Sequence, residues 1–122
     1  MKIYVCNAFS LSMLDRKTQT RAAAEQNRVF QPHGRPRIPL PIENPADWLE
    51  EWIGHAEIVS TVGHADTAAI FAAILGRPVP VNRVSVKLTE EDHALVGQYI
   101  GPRLPEGATT LPEGARIEWW AI

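Results

Sequence analysis

The sequence predicts an α/β fold: a single domain with a mixed β-sheet of about five strands flanked by helices. Three observations predict it. Lys2–Cys6 alternates with period two, the mark of a strand. Trp48, Leu49, Trp52 and Ile53, and again Ile70, Phe71, Ile74 and Leu75, recur at helical spacing. The chain has 122 residues, enough for one core and too few for two, and 45% apolar against 21% charged residues is a folded balance rather than a disordered one.

Taken in order, Ile3 and Val5 share one face of the first strand and Tyr4 and Cys6 the other, before Asn7-Ala8-Phe9-Ser10 ends it. Ser10 or Ser12 could cap a short helical turn through Met13 and Leu14. Residues 15–37 carry six of the twelve basic side chains and one expected strand near Arg28–Gln31. Five of the ten prolines fall between Pro32 and Pro45, so that stretch is expected as extended loop rather than helix or central strand. Asn44-Pro45-Ala46-Asp47 opens a helix with a cap, a first-position proline and an acid in the first turn, and Gly54 closes it near Ile53. Glu57–Val62 reads as a strand, and Gly63-His64-Ala65-Asp66 leads into a second helix that Gly76 ends. Val84, Val86 and Leu88 alternate with polar neighbours, predicting a strand whose hairpin partner is Ala94–Ile100. Gly101–Gly114 is a long loop holding two copies of Leu-Pro-Glu-Gly-Ala, both expected as turns, and Arg116–Ile122 is the last strand.

Composition narrows the function classes. Twelve basic and fourteen acidic residues leave a net charge of −2, against the positive excess of proteins that grip long nucleic acid. The longest apolar run, Ala68–Leu75, has eight residues, whereas crossing a bilayer takes roughly 20. No secretory leader is legible, and one cysteine cannot form an internal disulfide, so the expected location is cytoplasmic, without membrane attachment. No histidine pair has metal-ligand spacing, so neither metal nor cofactor is expected. A small anionic ligand held by a few arginines fits this balance.

His64 is the leading chemical candidate. At a strand-to-helix junction, an imidazole can protonate a leaving oxygen beside helix N–H groups that favour phosphate, or it can simply cap the turn. Arg103 and Glu106 lie three apart in the long loop, either as a phosphate fork with an orienting carboxylate or as a solvated local pair. Arg83 could contact a ligand or be an outward charge. Asn7 and Ser10 sit where α/β sheets place ligands, or serve as turn and cap residues. Trp119 and Trp120 must face opposite sides of the last strand, leaving one partly exposed as a dimer contact or a base-stacking surface.

Four motifs then stand in order: Asn7-Ala8-Phe9-Ser10, Gly63-His64, Asn82-Arg83-Val84, and Gly101-Pro102-Arg103-Leu104-Pro105-Glu106-Gly107. In these the chain resembles the viral anti-CRISPR ring nucleases of type III systems and their cellular relatives, a family first seen as small archaeal-virus proteins. The likeness runs through residues 1–14 and about 57–122, with 15–56 a divergent, proline-rich insert in one domain spanning 1–122. The resemblance implies a homodimer that binds cyclic tetra-adenylate across its two-fold axis and cuts it without metal, switching off type III CRISPR signalling in the cytoplasm (the host's, if a virus encodes it). It implies His64 as general acid, Glu106 as its assisting carboxylate and Arg103 as the stabiliser of the charged phosphorane. Asn7, Ser10, Gly63 and Arg83 would contact the ligand, and the loop from Gly101 would close over it. Two other classes remain open: a sponge or sensor that holds the ring uncut, and a structural viral protein that docks a partner through Trp119 or Trp120.

Overall fold

The computed structural model describes residues 1–8, 29–30, 36–37, 39–89 and 91–122. Its main sheet has five strands: β1 (Lys2–Cys6), β4 (Leu40–Ile42), β5 (Glu57–Ser60), β6 (His93–Ile100) and β7 (Arg116–Ala121). Their spatial order is β4-β7-β6-β1-β5. β1 runs parallel to both β5 and β6, while β7 pairs antiparallel with β6 and with β4, so the sheet is mixed. A separate two-stranded ribbon pairs β2 (Val29–Phe30) with β3 (Pro36–Arg37), the former inside the strand expected near Arg28–Gln31. The expected turn through Met13 and Leu14 lies outside the described residues.

The helices form where local chemistry asks for them. In α1 (Pro45–Glu50), the Asn44 side chain accepts the Asp47 N–H and Pro45 takes the first position. Regular helix stops at Glu50. Bonds from Trp52 N–H to Leu49 and from Ile53 N–H to Glu50 then tighten the last turn, which Gly54 ends at φ 87°. Ile53, expected in the buried stripe, is exposed instead, because this tighter turn rotates it off the face that buries Leu49. In α2 (Ala65–Leu75), Gly76 adopts a left-handed φ of 68° and its N–H closes on Ala72.

Both helices cover one face of the sheet. Ile3, Val5, Leu95 and Trp119 pack there beneath Leu49, Ala68, Phe71 and Leu75. Phe71 and Trp119 meet with ring centroids 4.7 Å apart. Gly97 lies at their contact, where an added Cβ would fall 2.7 Å from both rings, so only glycine fits that point of β6. β1, an interior strand, buries Ile3 and Val5 on this face and Cys6 on the other.

The other face corrects one expectation. Residues 81–87 form no strand, and β6 pairs with β1 and β7 rather than with them. From Ser85 to Leu88 the alternation is nonetheless physical, whereas Val84, expected on the buried side, is exposed. Val86 and Leu88 are buried against Cys6, Ala94, Val96 and Ile122, while Ser85 and Lys87 face out. The segment covers the sheet as an extended strap and makes no ladder. The fifth strand is instead β4, inside the proline-rich stretch. Pro41 sits opposite Trp120 on a sheet edge, where a missing N–H costs nothing. Among the described residues, no helix is long and apolar enough to cross a membrane.

Candidate functional site

Parallel strands β1 and β5 end together. Val5 is level with Ser60, and Thr61 closes the pairing with its N–H and its hydroxyl both donated to the Val5 carbonyl, at 2.9 and 3.0 Å. The chain leaves both strands on the same edge, at Asn7 and at Val62-Gly63-His64, the place where open α/β sheets present ligand-binding groups.

The segment Pro80–Arg83 is fastened along that exit. Ser60 Oγ donates to the Pro80 carbonyl (2.6 Å), Asn82 N–H to Val62 (2.9 Å), and Asn82 Nδ2 to Ser60 (2.8 Å). Arg83 Nε donates to the Gly63 carbonyl at 2.8 Å. Its alkyl stem lies so close over Gly63 that an added Cβ would meet Arg83 Cγ at 2.8 Å, so Gly63 serves by lacking a side chain. One guanidinium nitrogen is thereby fixed, and the fork makes no ion pair among the described residues. His64 takes the N-cap position of α2 in extended conformation, and its side chain makes no capping hydrogen bond. The capping alternative for this imidazole is thus not realised, and the residue is exposed.

Asn7, Thr61, Gly63, His64, Arg83 and Ser85 line one open cleft of about 440 Å³. An adjoining hollow of about 470 Å³, also bordered by Asn7, reaches Cys6 and Lys87. Burial pushes the Cys6 thiol up to about 11, although a hydrogen bond with Thr61 acts the other way, so this sulfur is inert at neutral pH. Groups of three or more His, Cys, Asp or Glu that could hold a metal ion do not occur among the described residues.

Arg103 and Glu106 lie outside the lining of this cleft. Both are exposed, and among the described residues they pair neither with each other nor with His64. Their loop is nevertheless brought to the same helix: Gly107 N–H donates to Asp66 Oδ1 at 3.1 Å, in the first turn of α2. The two Leu-Pro-Glu-Gly-Ala copies are the same turn twice. Ala108 N–H bonds to Pro105 and Ala115 N–H to Pro112, each at 3.1 Å, with Gly107 and Gly114 at φ 78° and 80°. The Tyr99 hydroxyl donates to the Pro102 carbonyl and holds the base of the loop.

The structure thus gathers Asn7, Gly63, His64 and Arg83, places Arg103 and Glu106 on a neighbouring loop, and leaves Ser10 outside the described residues. Sequence reading missed Thr61 and Ser85, whose small polar side chains carried no pattern. It also missed the loop contact of Asp66, visible only as a first-turn acid.

The fold agrees with what the sequence is related to. The sequence model of the STIV B116-like family matches residues 43–117, well over half of the chain, and the protein belongs to that family, a group of viral B116-like proteins. Among solved structures it is similar to B116 of Sulfolobus turreted icosahedral virus, with a TM-score of 0.70 and 23% identity over 99% of this chain and 97% of the other. At that identity the likeness establishes the fold. None of the curated proteins compared matches the chain.

Proposed function

We propose that this protein binds cyclic tetra-adenylate across the two-fold axis of a homodimer and cleaves it without metal to linear di-adenylate. A ribose 2′-hydroxyl releases its proton to solvent water as its oxygen bonds to the adjacent phosphorus and the P–O5′ bond breaks. His64 gives its proton to the departing 5′ oxygen, and a 2′,3′-cyclic phosphate remains. Arg83 binds a ring phosphate, Asn7 and Gly63 border the ligand, and Ser10 is a further ligand contact in this reading. Arg103 and Glu106 act when their loop closes, the guanidinium on the phosphorane charge and the carboxylate on the imidazole. An isologous dimer supplies each contact twice, so a near-neutral chain can hold four phosphates.

One observation carries this reading: a single anion-sized cleft joins an imidazole free of capping, an arginine fork and a carboxamide from three separate stretches of chain. The experiment is incubation with the ring in EDTA and chromatography of the products. Linear di-adenylate is expected, and an intact ring rejects cleavage. His64→Ala is expected to slow the reaction roughly 10²–10⁴-fold while binding persists. Unchanged turnover removes His64 from its role.

A second reading has its own support, since Arg103 and Glu106 do not line the cleft. The protein would then hold the ring uncut, as a sponge or sensor. Tight binding with intact ligand after long incubation selects it.

A further inference from the structure

On the sheet face opposite the helices, a third cavity of about 320 Å³ is lined by Asn7, Val96, Gln98, Trp120 and Ile122, among others. We propose that it seats one adenine base, with Trp120 as the stacking surface and the Gln98 carboxamide reading the base edge. This rests on the adenylate reading given above and deepens it.

Three features point to a base. First, Trp119 and Trp120 divide as strand geometry requires: Trp119 is 7% exposed in the core, whereas Trp120 is only partly buried and borders the cavity. An indole packed against the cluster that holds Cys6, Val86 and Val96 while bordering a cavity is a fixed aromatic plate. Second, Gln98 is its diagonal cross-strand neighbour, since Val96 pairs with Trp120 and Gln98 with Glu118. The Gln98 side chain is exposed, and neither its amide nor that of Asn7 bonds to another described residue. A carboxamide matches adenine doubly, its oxygen accepting from N6–H and its NH₂ donating to N7. Third, Asn7 lines both this cavity and the His64–Arg83 cleft, so the proposed base seat and the proposed phosphate site share one residue. The volume is at the small end for ligand pockets, which suits one base rather than a dinucleotide.

The experiment titrates the full chain with adenosine monophosphate and with inosine monophosphate, following the indole N–H resonances. Trp120→Phe identifies the signal of Trp120. Inosine keeps the stacking area and replaces the N6–H donor by an acceptor, so its N7 edge carries two acceptors that the donor–acceptor pair of one carboxamide cannot match. The adenine nucleotide is expected to shift the Trp120 signal most and to bind roughly tenfold tighter than inosine. Gln98→Leu is expected to erase that preference, and Trp120→Leu to weaken both nucleotides roughly tenfold. No shift at Trp120 with millimolar adenosine monophosphate overturns the proposal, as does an unchanged preference in Gln98→Leu. The latter is a surface change that folds whether or not Trp120→Leu does. Ring cleavage is scored separately. A protein that binds the nucleotide on Trp120 yet leaves the ring intact keeps the base seat and loses the nuclease reading. One that cuts the ring with wild-type KM in both variants does the reverse.

Discussion

Two aspartates mark the two ends of β1, and they are treated in opposite ways. At the Lys2 end, Asp92 is 6% exposed and its carboxylate collects the N–H of Lys2 at 2.9 Å, the N–H of Thr89 at 3.1 Å and the Thr89 hydroxyl at 3.0 Å. At the Asn7 end, Asp66 is half-exposed and takes a single N–H from a loop forty-one residues away. The same division holds for their surroundings. The first end closes its polar groups on one another, whereas the second leaves the Asn7 amide, the His64 imidazole and the Arg83 fork open to a cleft. Polar groups satisfied internally hold a fold, and polar groups left for a ligand perform work.

The sharpest way to break this comparison is Asp92→Ala. It strands three part-buried donors, and the expected cost is about 1.5–3 kcal/mol, read from urea unfolding at neutral pH. The same carboxylate dictates an acid limb. Burial alone would raise its pKa, but the bonds from Thr89 and Lys2 and the charge of the chain's amino terminus outweigh that and hold it below the ordinary 3.8. Above that value the group is ionised folded and unfolded, and its contribution is complete. Below it the unfolded chain takes up the proton first, so the contribution fades as pH falls toward the lowered value. The gap between wild type and Asp92→Ala is therefore expected to narrow below about pH 4. A gap constant down to pH 2 would place the stabilisation elsewhere.

A second test compares neighbours on β6. Gly97→Ala drives a methyl into Phe71 and Trp119, ring atoms of a packed core, and is expected to cost about 1–3 kcal/mol. Gln98→Ala, one residue on and facing outward, is expected to change stability by less than about 0.5 kcal/mol. Equal losses would mean that the face bearing Trp120 is as tightly committed to the fold as the helical face.

How far all this was legible follows from where the signals live. The cap at Asn44, the stripe of α2 and the alternation of β1 are local, and sequence read them. The alternation at Val84–Leu88 was read too, but only Val86 and Leu88 are buried while Val84 is exposed, and period two does not report that a ladder exists. Its backbone is tied at Asn82 to Val62, beyond the end of β5, and it continues as a strap. Prolines hid β4, because an edge position asks little of the backbone N–H. His64, Arg83 and Asn7 were each visible singly. Their meeting depends on how β1 and β5 end side by side and how Pro80–Arg83 folds back along that exit, which no spacing in the chain encodes.

The smallest expected effect is the most telling for the working end. Asp66→Ala removes one hydrogen bond to a loop whose base stays fixed by Tyr99 and Pro102, so global stability is expected to move by less than about 0.5 kcal/mol. The loss should be local: a bond worth about 0.5–1.5 kcal/mol corresponds to amide exchange at Gly107 faster by roughly 2- to 12-fold. Asp66→Asn keeps the acceptor oxygen and should restore most of the protection, which separates the contact itself from any change in charge. If Asp66→Ala instead lowers the whole unfolding curve as Asp92→Ala does, the two ends of β1 are equally structural. The loop would then be part of the frame rather than a piece held by one breakable contact beside the cleft.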